Sequence, residues 1–150
     1  INARAESLSA KPAYRNAFRQ RRCLIPAEGF YEWRTTEAGK QPYLNCRRDR
    51  APFAMAGLWE TWGGGQGAAI ESCTLIVTDA NPLIRQLHDR MPVILDPKDF
   101  ERWLDPKTDA AAAASLLAPQ PDGLLALRPV STRVNSPKYD DPTCVQAVSP

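Results

Sequence analysis

The sequence predicts an α+β fold: a mainly antiparallel, barrel-like β-sheet flanked by short helices. Three observations lead there. Apolar, β-prone runs of roughly four to eight residues recur along the chain, bounded by Gly, Pro, Asn and Asp. The helical patterns between them are short and do not alternate with strands as a parallel array requires. At 150 residues the chain is long enough for a core of its own. Residues 1–150 are therefore expected to form a single domain.

In chain order, residues 12–22 read as an amphipathic helix. Tyr14, Ala17, Phe18 and Arg21 recur at helical spacing, and Pro12 sits near the start. Strands follow at 23–26 and 29–34 around the turn Pro26-Ala27-Glu28-Gly29. In the second strand, alternation puts Phe30, Glu32 and Arg34 on one face and Tyr31 and Trp33 on the other. Glu32 thus points either to solvent or into a cavity. Further strands are predicted at 42–47, 53–59 and 73–78. Between the last two, residues 63–67 (Gly-Gly-Gly-Gln-Gly) read as a flexible surface loop. That loop lacks the Lys-Ser/Thr of a phosphate loop and opens no helix, so it suggests no nucleotide binding. Asn81-Pro82 opens a short helix ending near Leu87, with Asp79 or Asn81 as cap. A strand at 93–95 comes next. Asp96-Pro97 then starts a helix carrying Phe100, Trp103 and Leu104. Residues 108–117 form an Ala-rich helix, 123–130 a late strand, and 131–150 an irregular tail.

Composition narrows the function classes. No apolar run approaches the roughly 18 residues of a membrane span, and no signal peptide opens the sequence. A cytoplasmic, nucleoid-associated monomer is expected. The 19 basic residues against 17 acidic give a net charge of +2, which neither demands nor excludes nucleic acid. Of the 19, 14 are Arg, the side chain suited to bidentate phosphate contact. A GC-rich genome, which favours Arg, Ala and Pro codons, is the preferred explanation of that overall bias, and the run Ala110 to Ala114 agrees with it. The clusters Arg19/Arg21/Arg22 and Arg47/Arg48/Arg50 read by default as solvated faces. Cys23, Cys46, Cys73 and Cys144 make no C-x-x-C pair, and with one His there is no zinc-ligand spacing. No metal or cofactor is expected. Cys23 and Cys73 lie in strand-like apolar runs and read as buried, inert thiols.

Acid–base chemistry concentrates in a few places. The only histidine is His88, in His88-Asp89-Arg90-Met91-Pro92. It falls on a loop where a helix ends, a frequent place for function. A structural His bonded to backbone is the alternative. Asn2 and Glu32 are the other polar groups in apolar settings. An amide, a carboxyl and an imidazole are what a site that moves protons on a small electrophile needs.

Several motifs occur in one order: Asn2-Ala3-Arg4-Ala5-Glu6, the run from Arg22-Cys23-Leu24 to Phe30-Tyr31-Glu32-Trp33, Ala56-Gly57-Leu58-Trp59-Glu60, Thr78-x-Ala80-Asn81, and His88-Asp89-Arg90-Met91-Pro92. From Asn2 to about Val134 the chain resembles the SOS response-associated peptidase (SRAP) family, which includes bacterial abasic-site shields and their eukaryotic relative. The resemblance implies an SRAP-type fold and a sensor of abasic sites in single-stranded DNA. In the family a mature N-terminal Cys, exposed by self-processing removal of Met, condenses with the sugar aldehyde and closes a thiazolidine. By motif match, Asn2 holds the amine and sugar, and Glu32 is the acid/base. His88 promotes sugar opening and Schiff-base chemistry, and Arg4 and Arg90 grip phosphates. The family's Met-Cys-Gly-Arg start and the following Trp-Gly-Leu-Ile-Pro do not occur in the sequence. An N-terminally incomplete chain without the nucleophile is expected. Two other readings use the same residues: a non-catalytic single-strand DNA-binding module, and a Cys hydrolase built from Cys23 or Cys73 with His88 and Glu32.

Overall fold

A computed structural model describes residues 2–63 and 67–148. Along the chain the elements are β1 (Asn2–Arg4), α1 (Pro12–Gln20), β2 (Arg22–Ala27), β3 (Phe30–Thr36), β4 (Gly39–Arg47), β5 (Phe53–Trp62), β6 (Ile70–Asp79), β7 (Arg90–Pro92), β8 (Ile94–Leu95), α2 (Phe100–Leu104), α3 (Ala110–Ala114) and β9 (Leu125–Pro129). This is the α+β class with mainly antiparallel sheets and short helices. The chain divides into two compact units. Residues 1–26, 54–79 and 91–120 form the first; residues 27–53, 80–90 and 121–150 form the second.

The first unit holds a sheet in the order β1-β6-β5-β2, with β7 on β6 and β8 on β5. Strand β1, not expected from the sequence, pairs parallel to β6, with Ala3 opposite Ile76. Both of those side chains are buried. Alternation then turns Asn2 and Arg4 to the other face, where they are exposed. Ala56, Leu58, Ile76, Val93 and Leu95 carry the sheet's side of the core; Phe18, Trp103 and Ala113 fill it from the helices and Leu117 from the segment after α3. Phe18 and Trp103 meet with ring centroids 6.2 Å apart. The indole N–H of Trp103 donates to the Cys23 carbonyl at 2.9 Å.

Two sequence readings are corrected in this unit. Arg22 does not belong to a solvated face; it is buried. Its guanidinium donates to the carbonyls of Phe18 (2.7 Å) and Arg19 (3.2 Å) where α1 ends. It also donates to those of Trp103 (2.6 Å), Asp105 and Thr108 (3.1 Å) where α2 ends. A fork of five N–H donors meets five carbonyls that the helix ends leave open. Cys73, expected buried, is exposed. It pairs with Trp59 across β5–β6, on the face turned away from Leu58 and Ile76 and past the end of the core. Cys23 is half-buried.

The helices of this unit are shorter than their sequence patterns. Asp96 accepts from the Lys98 N–H, and Pro97 begins a single 3₁₀ turn before α2. Asp109 caps α3 through the Ala112 N–H at 2.8 Å, and five alanines complete it. Of the glycine-rich loop, Gly64, Gly65 and Gln66 lie outside the described residues, as do Ser149 and Pro150 of the tail.

The second unit holds the sheet β3-β4-β9. Glu32 faces Tyr43, Phe30 faces Asn45, and Arg34 faces Gln41. The opposite face carries the row Tyr31, Leu44, Arg128. Gly29 lets the preceding turn lie against β4: a Cβ there would stand 2.9 Å from the Asn45 carbonyl oxygen. The tail is less irregular than expected. It forms two 3₁₀ turns, at Thr132–Asn135 and Pro142–Val145. Val130 bridges Ala147, and the Trp33 indole donates to Asn135 at 2.7 Å. The helix expected after Asn81 is only a 3₁₀ turn, Ile84–Gln86, with Asn81 Oδ1 accepting from the Ile84 N–H at 2.9 Å. Among the described residues no helix is long and apolar enough to cross a membrane.

Candidate functional site

In the second unit, Glu32 and His88 come within electrostatic reach of each other. Glu32 projects from the middle of β3 and is half-buried. Its neighbours on that face are Phe30, the Tyr43 ring opposite, and Arg34, whose guanidinium lies 4.9 Å from the centre of that ring. Burial raises the Glu32 pKa above the ordinary carboxylate range; the His88 ring pulls it down and the Asp89 carboxylate pushes it up. The carboxyl is thus biased toward holding its proton.

His88 reaches this position because residues 80–90 close on themselves. The Ala80 N–H donates to the Asp89 carbonyl at 2.9 Å, and the His88 N–H to the Ile84 carbonyl at 3.0 Å. The Arg90 N–H donates to His88 Nδ1 at 3.0 Å. With Nδ1 accepting, the neutral ring carries its proton on Nε2. Asp89 Oδ1 lies 3.3 Å from the same Nδ1. That contact becomes an ion pair only when the ring is protonated, and protonation breaks the bond from Arg90. The site and structural readings of His88 are therefore compatible: one nitrogen is tethered to backbone and the other is free to exchange protons. The ring is exposed, so solvent and ligand can reach it.

Arg90 is half-buried at the start of β7. Asn2 and Arg4 belong to the first unit and share the exposed face of β1. Tyr43, Asp89 and the Arg34–Tyr43 stack were not singled out by sequence. The face of β3 was readable, but the register that sets Tyr43 opposite Glu32 depends on the turn at 37–39. Among the described residues no group of three or more His, Cys, Asp or Glu could hold a metal ion.

Comparison with known proteins bears on what such a site serves. Residues 1–137 match the family described as SOS response associated peptidase (SRAP). The chain belongs to the SRAP family. Among its SRAP relatives, the abasic site processing protein YoqW of Bacillus subtilis is 42% identical over 149 residues, which are 98% of this chain and 66% of YoqW. The abasic site processing protein HMCES of Xenopus tropicalis is 31% identical over 168 residues, covering 98% of this chain and 50% of HMCES. A crystal structure of a Bacteroides thetaiotaomicron protein superposes with a TM-score of 0.90 at 34% identity, covering 99% of this chain and 66% of that one. This SRAP chain therefore spans about two thirds of the length of its bacterial relatives.

Proposed function

We propose that this chain is the greater part of a single SRAP domain that processes abasic sites in single-stranded DNA, and that an N-terminal Cys ahead of it supplies the nucleophile. The observation that carries the reading is the Glu32–His88 pair: a carboxyl held toward its protonated form by burial, beside an imidazole with one nitrogen tethered and the other free. The names borne by YoqW and HMCES point to the same substrate.

The chemistry divides among residues as follows. A neutral amine adds to the aldehyde carbon of the opened sugar and gives a carbinolamine. Loss of water then leaves an imine, which needs a proton delivered to the departing oxygen; His88 Nε2 delivers it. The thiol of the same Cys adds to the imine carbon and closes the thiazolidine. Glu32, in its ionised form and made a stronger base by its raised pKa, takes the proton from the attacking amine and returns it on reversal. In self-processing, the same carboxyl activates the water that removes the preceding Met. Asn2 orients the amine and sugar, and Arg4 and Arg90 contact the flanking phosphates.

The test compares two polypeptides on a denaturing gel after incubation with an abasic single-stranded oligonucleotide. Residue 1 of this sequence is Ile, and the nitrogens of Cys23, Cys46, Cys73 and Cys144 are tied up in peptide bonds. The 150-residue chain should give no heat-stable shifted band. A chain preceded by the family's N-terminal segment and Cys should give one. A stable band from the short chain overturns the nucleophile assignment. Binding without a band from the long chain favours the non-catalytic single-strand module.

A further inference from the structure

Proton delivery by His88 needs a form of the ring that the resting arrangement does not hold. The neutral ring is protonated on Nε2 while Nδ1 accepts from the Arg90 N–H at 3.0 Å. Giving up the Nε2 proton from that form would leave an imidazolate, which no ordinary aqueous pH supports. The ring must first be loaded at Nδ1, as the imidazolium. Its Nδ1–H then faces the Arg90 N–H donor to donor and needs an acceptor.

Two acceptors stand near. Asp89 Oδ1 and the Arg90 carbonyl oxygen each lie 3.3 Å from Nδ1. Of the two, the carboxylate carries a full charge and favours the imidazolium more strongly. It is also held in place: the Asp89 carbonyl accepts from the Ala80 N–H at 2.9 Å, which closes the segment that carries both residues. The other titratable group within reach of the ring is Glu32, from β3, and Arg90 follows at the start of β7.

We propose that Asp89 is a positioning residue for His88: it takes the Nδ1–H of the imidazolium as the Arg90 N–H lets go, and holds the ring loaded as the acid. The inference rests on the abasic-site chemistry proposed above. The protons balance. A solvent proton enters at Nδ1, and the Nε2 proton leaves with the carbinolamine hydroxyl as water. The ring is then neutral with Nδ1 protonated. Because it is exposed, it regains a proton at Nε2 from solvent and loses the one at Nδ1 to solvent. Asp89 acts on Glu32 in the opposite sense, since its charge pushes that carboxyl toward its protonated form. Removing the Asp89 charge therefore disfavours the loaded acid and favours the ionised base. Both limbs of a bell-shaped pH–rate profile should move to lower pH.

Two measurements separate this pairing from the reading beneath it. The first uses the 150-residue chain. His88 is its only histidine, so one imidazole proton signal in NMR reports the titration of that ring. In Asp89→Asn the midpoint should fall by about 0.3 pH units or more, as for an exposed ion pair, the Asp89 side chain being 87% exposed. An unchanged midpoint overturns the proposal, whatever the protein does to DNA. The second uses a chain carrying the N-terminal Cys. Single-turnover crosslinking rates are taken as the ratio of Asp89→Asn to unsubstituted protein at each pH, which cancels the titration of the α-amine common to both. The ratio should fall about twofold to fivefold below one on the alkaline side of the optimum, and rise above one on the acid side. Asp89→Glu, which keeps the charge, should bring it back toward one. A ratio uniform across pH, as a merely structural role would give, or an alkaline rate not lowered, overturns the proposal. Absence of any crosslink from the long unsubstituted chain overturns the abasic-site reading, and with it the use assigned to the ion pair, whichever way the midpoint moves.

Discussion

Glu32 links the stability of the fold to pH. Its carboxyl is raised by burial and partly restored by His88. Between the ordinary Glu value of about 4.3 and the raised one, the folded state binds more protons than the unfolded chain. Stability therefore falls as pH rises through that window. The favourable contribution is fully present below the ordinary value and lost above the raised one. Glu32→Gln removes this titration. Thermal melts should show the variant gaining on the unsubstituted protein between pH 4 and pH 8, and a gap independent of pH would contradict the burial argument. If Glu32 also transfers protons, the same variant in a chain carrying the N-terminal Cys should slow crosslinking by roughly 10²–10⁴-fold. Stability and rate then move in opposite directions at pH 8, which a structural carboxyl would not produce.

Elements meet through side chains whose patterns are only partly visible in sequence. The helix ends at α1 and α2 are held by Arg22, whose five carbonyl partners are Phe18 and Arg19 in the last turn of α1 and Trp103, Asp105 and Thr108 at and after the end of α2. Arg22→Ala leaves several buried carbonyls open, at about 1–3 kcal/mol for each left unsatisfied. Urea unfolding should show a loss of at least about 3 kcal/mol. Arg22→Lys, with three donors in place of five, should recover only part of it. At α3, Asp109→Ala should cost about 1 kcal/mol through the lost cap. Local rules found the elements themselves: Pro12 and Asp96-Pro97 mark helix starts, and alternation in 29–34 gave the two faces of β3. Those rules could not find β1, because three residues are too few to show a period, and only pairing with β6 makes them a strand. Nor could they distinguish Arg22 from Arg19, or Cys73 from Cys46, since burial is decided by which strands extend beyond the core. The candidate site was legible as residue types and motifs. Its electrostatics were not, because the Asp89 charge reaches Glu32 only through the closed 80–90 segment.

For the whole molecule, a net charge of +2 on 150 residues is too small to draw in nucleic acid by itself. On the proposed function, DNA affinity has to come from local arginines. Arg4→Ala and Arg90→Ala should each weaken binding to single strands of any sequence alike. Each should also lower the slope of log K against log salt by about 0.7, the value for one phosphate contact on a single strand. A slope change confined to one sequence would contradict phosphate gripping. Both units are built from three separated stretches of chain, so the polypeptide passes from one to the other five times, at 26/27, 53/54, 79/80, 90/91 and 120/121. This ordering sets a timetable for biogenesis. Glu32 and His88 belong to one unit, but the 54–79 stretch of the other is made between them. The 56 residues from 32 to 88 take about 3–11 s to synthesise at ordinary ribosomal rates. Throughout that interval a nascent chain displays a carboxyl-bearing strand whose imidazole does not yet exist. On the proposed chemistry, acid–base function is thus withheld until residue 88 has been made, and a ribosome-bound fragment ending before it should not crosslink abasic DNA.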